Sequence, residues 1–277
     1  MSAAGAREIT RDTLLGGRVR LAQPKGGFRA AIDPVLLAAA VPAVAGESAL
    51  DAGSGTGAAA LCLAARVPGV DVTGIELDPA LAALANENAA ASGVAARVRF
   101  VAGDILSPPA ASESSCEGTP NGVTRRFYSG GGDSPVAGLA GKLFDHVLTN
   151  PPFSAMGSGS SSPDADKRRA KEEGAGGLAA WLDACLGFLK PGGTLTLIHR
   201  ADRLDAVLMR LEGRAGGIVV FPLWPGIGKA AKRIIVAARK GSAAPLEIKP
   251  GLVLHGPGGA YTPEAEAILR AGKALYL

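Results

Sequence analysis

The sequence predicts an α/β protein built on a mostly parallel sheet with helices on both faces, and three observations carry that prediction. Short β-branched or apolar runs alternate with Ala- and Leu-rich helical stretches between residues 48 and 200. A glycine loop, Asp51-Ala52-Gly53-Ser54-Gly55-Thr56-Gly57, joins the first strand of that series to its first helix. Polar residues then stand at the carboxyl ends of the later strands (Glu76, Asp104 and Asn150), the edge at which open α/β sheets bind ligands. Seven strands are expected, at 48–50, 70–76, 98–101, 144–149, 194–199, 217–223 and 233–238. The last two read as an antiparallel pair, so one strand runs against the rest.

The N-terminal 47 residues form an extension that precedes this series. Residues 1–11 read as frayed, and Thr13 to Arg29, with glycine pairs at 16–17 and 26–27, as a hairpin or two. Asp33-Pro34 opens a helix through Ala40, Asp as N-cap and Pro at the first helical position. Glycines at 53, 55 and 57 then remove three Cβ atoms at a helix N-terminus, where backbone N–H groups can approach a ligand. Ala58 stands where a dinucleotide fingerprint needs glycine, and the Asp51 carboxylate would repel a pyrophosphate. It suits an amino group instead. A glycine-rich turn with no ligand is the competing reading.

Glu76 ends the next strand, 19 residues past Gly57, where its two acceptor oxygens suit a ribose diol. A helix-start acid before Asp78-Pro79 is the plainer alternative. After a helix over 79–92 and a strand over 98–101, Asp104 is placed to accept from an adenine amino group, with Ile105 against the ring face. A simple turn aspartate competes. Residues 107–141 are rich in Ser, Gly and Pro, and read as an exposed insertion within one domain spanning 48–277.

Asn150-Pro151-Pro152-Phe153 closes the fourth strand. Two prolines fix the backbone and leave carbonyls free to accept, the Asn150 amide oxygen is another acceptor, and Phe153 offers a stacking face. This set fits a planar nucleophilic NH₂ group; a rigid strand exit with a packed Phe is the alternative. A polar loop over 154–169 follows, then a helix over 178–189 stopped by Lys190-Pro191-Gly192-Gly193, and a helix over 201–214. Residues 245–277 add short strands and a helix opened by Thr262-Pro263, as a C-terminal appendage.

Composition narrows the class. Hydrophobic residues make up 47% and aromatics only 4%, so the core is aliphatic and an aromatic beside a motif gains interest. Residues 1–12 carry no secretory signal pattern, and no uninterrupted apolar span reaches membrane length, which predicts a cytoplasmic protein. Cys62, Cys116 and Cys185 are scattered, as are His146, His199 and His255, which predicts reduced thiols, structural histidines and no metal. Net charge is +4, yet residues 191–240 hold nine Lys/Arg against three Asp/Glu. That basic region suits an RNA phosphate backbone; solvated helix faces and strand edges explain it as well.

The order of these motifs resembles Rossmann-like class I S-adenosylmethionine-dependent methyltransferases acting on amino groups. Thr13–Arg18, Gln23-Pro24, Gly27-Phe28-Arg29, Asp33–Ala39, Leu197–Ala201 and Ala231-Lys232-Arg233 resemble, more narrowly, the bacterial tRNA(Val) adenine-N6 methyltransferases, also described as predicted O-methyltransferases. The resemblance implies S-adenosyl-L-methionine bound by Asp51, Gly53, Ser54, Gly55, Gly57, Glu76, Leu77, Asp104, Ile105 and Asn150. It implies Asn150, Pro151 and Phe153 as the residues receiving a flipped-out adenine of RNA, with no general base. A glutamine methyltransferase of release factors shares Asn-Pro-Pro but carries a longer helical N-terminal domain. A guanine-N2 rRNA methyltransferase and a non-catalytic RNA-binding module are the further alternatives.

Overall fold

The computed structural model describes residues 8–26, 31–107, 139, 141–151 and 177–277. Residues 1–7, Gly27-Phe28-Arg29, Cys116, nearly all of the 107–141 insertion, Pro152, Phe153 and the 154–169 loop, for which the sequence carries expectations, lie outside the described residues.

A hairpin comes first: β1 (Ile9–Leu14) pairs antiparallel with β2 (Val19–Pro24), so pairing begins at Ile9 and residues 9–11 are not frayed. Next come α1 (Asp33–Ala40), β3 (Ser48–Ala52), α2 (Ala58–Arg66), β4 (Asp71–Glu76), α3 (Pro79–Ala91), β5 (Val98–Ala102) and β6 (Phe144–Thr149). The chain continues with α4 (Gly177–Gly187), β7 (Leu189–Arg200), α5 (Leu204–Leu211), β8 (Ala215–Gly226) and β9 (Arg233–Lys240). It closes with β10 (Glu247–Ile248), β11 (Leu252–His255) and α6 (Pro263–Leu269).

The main sheet runs β10-β8-β9-β7-β6-β3-β4-β5, with β11 also on β8. It has nine strands rather than the expected seven. The two additions are β10 and β11, short strands of the C-terminal appendage laid parallel on successive parts of β8. They cover an edge whose N–H and C=O groups would otherwise be unpaired. Only β9 runs against its neighbours, pairing antiparallel with both β7 and β8. Two local expectations shift as well. Lys190–Gly193 does not end α4, which stops at Gly187; those residues bulge out of β7, where the register with β6 jumps between Phe144 and His146. The helix expected over 201–214 is a 3-10 turn at Ala201–Arg203 followed by α5.

Aliphatic side chains fill both faces. Leu36, Leu61 and Ile268 from α1, α2 and α6 pack on one side, and Leu182, Val207 and Leu211 from α4 and α5 on the other. Each fully buried Leu or Val contributes roughly 1.5–3 kcal/mol. The hairpin joins the first face through Asn88 of α3, which is 2% exposed. Its amide donates to the carbonyls of Ala22 and Thr56, both at 3.0 Å, and its oxygen accepts the Ala22 N–H at 2.8 Å. One buried amide thus ties the hairpin to the glycine loop.

Replacing Asn88 with Ala strands these backbone groups away from water, and a loss of about 2–3 kcal/mol is expected. Urea unfolding of Asn88→Ala checks this; a midpoint matching the parent's would mean that the groups find other partners.

Candidate active site at the carboxyl edge of the sheet

Strand order decides where the candidate residues meet. β3 has β4 on one side and β6 on the other, and the register aligns Ala52 with Ile75 and with Thr149. Glu76 aligns with Ala102 on β5. Gly53, Glu76, Asp104 and Asn150 therefore all leave the sheet at one edge, at the point where strands added in opposite directions part.

The loop after β3 is folded over the tip of β4. Gly53 N–H and Ser54 N–H both donate to the Ile75 carbonyl at 2.9 Å, and Gly57 N–H donates to the Ser54 carbonyl at 2.8 Å. Gly53 (φ 73°) and Gly57 (φ 88°) are left-handed. A Cβ on Gly53 would lie 2.8 Å from the Trp181 ring, and one on Gly57 2.6 Å from the Phe100 ring. The glycines are thus required by the protein's own packing, before any ligand is considered.

Asp51 is 2% exposed and lies beneath this loop, with Oδ2 accepting the Ala60 N–H at 3.1 Å. Burial pushes its carboxyl up to about 7; the Ala60 hydrogen bond opposes that rise and the nearby Glu76 charge adds to it. Glu76 grips the loop from the other side: Oε2 accepts the Gly55 N–H at 2.8 Å and Oε1 the Asp78 N–H at 3.0 Å. Burial raises its pKa, and these N–H bonds oppose the rise. Each carboxylate oxygen can accept a second bond, so Glu76 retains acceptor capacity for a diol.

Further along the edge, Asp104 Oδ1 accepts the Leu106 N–H at 2.9 Å, the geometry of a turn aspartate. Ile105 is 3% exposed and belongs to the core with Leu50 and Ile75, while Leu77 is 65% exposed. Of the two apolar side chains expected at a cofactor, Leu77 is the open one.

On β6, Thr149 is buried and Asn150 follows it at the edge, with Oδ1 shielded from solvent and without a partner among the described residues. Such an orphaned buried acceptor is costly unless a ligand donates to it. Pro151 is buried beside it; Phe153 lies outside the described residues. Trp181 was not anticipated. Its indole N–H donates to Thr149 Oγ1 at 2.9 Å, and that hydroxyl donates to the Ala52 carbonyl at 2.8 Å. Phe100 was likewise missed. The only available hint was the scarcity of aromatics, because neither residue has a characteristic spacing from the loop.

The basic region divides between the two ends of the sheet. Arg200 pairs with Arg233 at the carboxyl end of β7, so Arg200, Arg203, Lys229, Lys232 and Arg233 lie on the same side as Asn150. Arg239 pairs with Thr194 and Lys240 with Ala215 at the opposite end. Arg210 and Arg214 are bound to Asp183. Arg233 also meets Asp33 at the start of α1, at 3.1 Å.

The histidines have structural surroundings. His146 contacts Glu47 at 2.8 Å, and His255 stacks on Tyr261 at 4.6 Å. His199 is buried, which, with Arg203, Arg200 and Arg233 nearby, pushes its pKa down to about 4. Cys62 and Cys185 are buried, and burial raises both thiols.

Residues 49–116 match a family model described as a methyltransferase domain. A predicted O-methyltransferase from Agrobacterium tumefaciens shares the fold, with a TM-score of 0.66 at 24% identity over 88% of this chain and 99% of that one. A release factor glutamine methyltransferase of Moorella thermoacetica is 30% identical over 184 residues, covering 64% of this chain and 54% of its own length. A tRNA1(Val) (adenine(37)-N6)-methyltransferase of Porphyromonas gingivalis is 32% identical over 255 residues, 86% of this chain and 85% of the relative. The glycine loop, the acids and Asn150 leave the sheet at one edge, the similarity extends over most of both chains, and the chain belongs to the tRNA1(Val) (adenine(37)-N6)-methyltransferase family.

Proposed function

We propose that this protein transfers a methyl group from S-adenosyl-L-methionine to the exocyclic N6 amine of an adenine in tRNA. The observation that carries the reading is the Asn150 amide oxygen, a buried acceptor with no partner among the described residues, one residue beyond Thr149 and beside the glycine loop. An exocyclic NH₂ group is a donor of the kind it lacks. The relative from Porphyromonas gingivalis, named as a tRNA adenine-N6 enzyme, supports the choice of substrate. The work of such an enzyme on tRNA implies a cytoplasmic location. Among the described residues, no helix is long and apolar enough to cross a membrane.

The residues present fit the donor. Gly53, Ser54, Gly55 and Gly57 present the loop backbone to it, with open space where a Cβ on Gly55 would stand; Asp51 beneath the loop complements an ammonium group, and Glu76 offers acceptors to the ribose. Leu77, 65% exposed, supplies an apolar face for the adenine ring, with Asp104 and Ile105 at its margin. S-adenosylmethionine supplies an electrophilic methyl carbon carried on a sulfonium. The protein's part is to hold the acceptor. Asn150 Oδ1 and the Pro151 carbonyl accept the two N6 protons, which turns the nitrogen lone pair out of ring conjugation. They also stabilise the positive charge that develops on nitrogen, and Phe153 stacks on the base. No general base is required, because the methylated cationic nitrogen is itself acidic. Alignment accounts for most of the rate.

The same reading assigns residues 1–47 as an extension packed on the catalytic core, and 48–277 as the methyltransferase domain with an insertion at 107–141 and an appendage at 245–277. Arg200, Arg203, Lys229, Lys232 and Arg233, on the Asn150 side, are the cations that meet RNA phosphates; Arg239 and Lys240 are not. The similarity to the release factor enzyme makes protein glutamine the second substrate class.

Three outcomes test this. Incubating the protein with labelled S-adenosylmethionine and tRNA should yield N6-methyladenosine, and Asn150→Ala should lower turnover by about 100-fold or more while cofactor affinity stays within a few fold. Label in release factor protein, or in guanosine, would overturn the adenine assignment.

Lys232→Ala should weaken tRNA binding and flatten its dependence on salt by about one charge, whereas Arg239→Ala should leave the slope unchanged. Equal slopes for the two variants would remove the proposed RNA face.

With Asp51 titrating near 7 in the free protein, a cationic amino group binds best once Asp51 is ionised. S-adenosylhomocysteine affinity should therefore rise between pH 5.5 and 7.5, below the titration of the ligand's own amine at roughly 8. Calorimetry should find that slope abolished in Asp51→Asn. The free protein shows the opposite sign: its folded pKa is raised above 3.8, so the Asp51 contribution to stability is full below that value and is lost as pH rises through about 7.

A further inference from the structure

We infer that Trp181, acting through Thr149, is a positioning residue that holds Asn150 in register with the donor-binding loop, an inference that rests on the methyl-transfer reading above. Two strands carry the opposing halves of the site. β3 ends at Ala52, and the next residue is the first glycine of the loop; β6 ends at Thr149, and the next residue is Asn150. Ala52 and Thr149 are register partners, so the two halves diverge from one point of the sheet.

A hydrogen-bond chain crosses that point. The Trp181 indole N–H donates to Thr149 Oγ1 at 2.9 Å, and Thr149 Oγ1 donates to the Ala52 carbonyl at 2.8 Å. Thr149 is fully buried, so its hydroxyl has no water to fall back on. The indole N–H has no acceptor role, and the hydroxyl has only one proton to give. The chain therefore runs in one direction, from helix to β6 to β3.

The same indole also packs on the loop. A Cβ on Gly53 would lie 2.8 and 3.0 Å from two carbons of its six-membered ring, so the ring edge occupies the space that glycine leaves. Trp181 thus touches the donor side by packing and the acceptor side by its N–H. A strand end held only by the backbone ladder could shift the Asn150 turn by a fraction of an ångström. Misplacement by about 1 Å is enough to cost on the order of 100-fold in rate. A phenylalanine at 181 would keep much of the packing and lose the N–H; a valine at 149 would keep the shape and lose the hydroxyl.

The test uses the full-length chain in a Trp224→Phe background, which leaves Trp181 as its one tryptophan. Trp224 lies near the carboxyl end of β8, with β9 and β7 between it and β6, and its indole N–H is on the Pro250 carbonyl, so every variant is compared with the parent carrying the same Trp224→Phe change. Turnover on tRNA, tRNA KM, S-adenosylhomocysteine affinity and melting temperature are measured for Trp181→Phe, Thr149→Val, Thr149→Ser and the Trp181→Phe/Thr149→Val double variant. Each of Trp181→Phe and Thr149→Val should lower kcat by about tenfold or more, with S-adenosylhomocysteine affinity and tRNA KM held within about threefold. Thr149→Ser should restore kcat, and the double variant should be no slower than the slower single one, because both act through one chain of bonds. Emission from Trp181 should change on adding S-adenosylhomocysteine.

A kcat within about twofold of the parent in the folded Trp181→Phe protein overturns the inference, as does a double variant whose losses multiply. Should Thr149→Val not fold, Trp181→Phe and Thr149→Ser decide the matter, since one removes the donor at a half-buried site and the other keeps the hydroxyl. If the parent binds S-adenosylhomocysteine but methylates no RNA, the functional reading fails and this inference with it. If the parent methylates tRNA and the variants match it, only this inference fails.

Discussion

The side-by-side pairing of β3 with β6 is the constraint on which the site depends. Strands between 48 and 102 are added outward from β3 in one direction, and those after 144 are added from β6 in the other. The glycine loop therefore leaves β3, and Asn150 leaves β6, side by side at the carboxyl edge, where open α/β sheets bind ligands. The fold supplies the proximity, and the side chains only refine it.

At that edge, the polar groups hold the loop together at an electrostatic cost. Asp51 and Glu76 are both carboxylates withdrawn from water, and their charges oppose each other. In the free protein each finds partial compensation in backbone N–H groups, Ala60 for Asp51 and Gly55 and Asp78 for Glu76. Burying two like charges without a cation is unfavourable, so the loop holds this pair at an electrostatic cost. The same argument applies to Asn150, whose amide oxygen is buried without a donor among the described residues. Three separate groups are thus left with an electrostatic need of the same kind, a need for positive or hydrogen-donating partners.

Much of this was legible in the sequence because it is written in short, contiguous patterns. The strand–glycine loop–helix unit, the acid 19 residues past Gly57, and Asn150-Pro151 each span a few residues, and each predicted position falls at the expected edge. What escaped notice depends on contacts between distant segments. Trp181 lies in a helix beyond the Asn150 turn and meets Gly53 from far along the chain; Phe100 reaches Gly57 from β5; Asn88 links Ala22 to Thr56. None of these pairings has a period or a spacing. The strand count failed for a related reason. β10 has only two residues, Glu247 and Ile248, both exposed, so it carries no hydrophobic alternation, and only the free edge of β8 calls it into being.

Charge is where linear reading was least reliable, and the sheet explains why. Residues 191–240 look like one basic block, but they cover β7, a helix, β8 and β9, and so cross the sheet from end to end more than once. A cation at the carboxyl end of β7 and one at the far end of antiparallel β9 can stand close in sequence and face opposite sides of the protein. At roughly 3.3 Å per residue, a strand the length of β9 separates its ends by more than two Debye lengths at physiological salt. Cations at the two ends therefore act on different partners. Arg210 and Arg214 are further withdrawn by Asp183, which ties α4 to α5 and the segment after it. The cations on the Asn150 side are Arg200, Arg203, Lys229, Lys232 and Arg233, of which Arg200 is paired with Asp202 and Arg233 with Asp33. Their field is local, set by where β7 ends and β9 begins. Net charge over the whole chain says little about it.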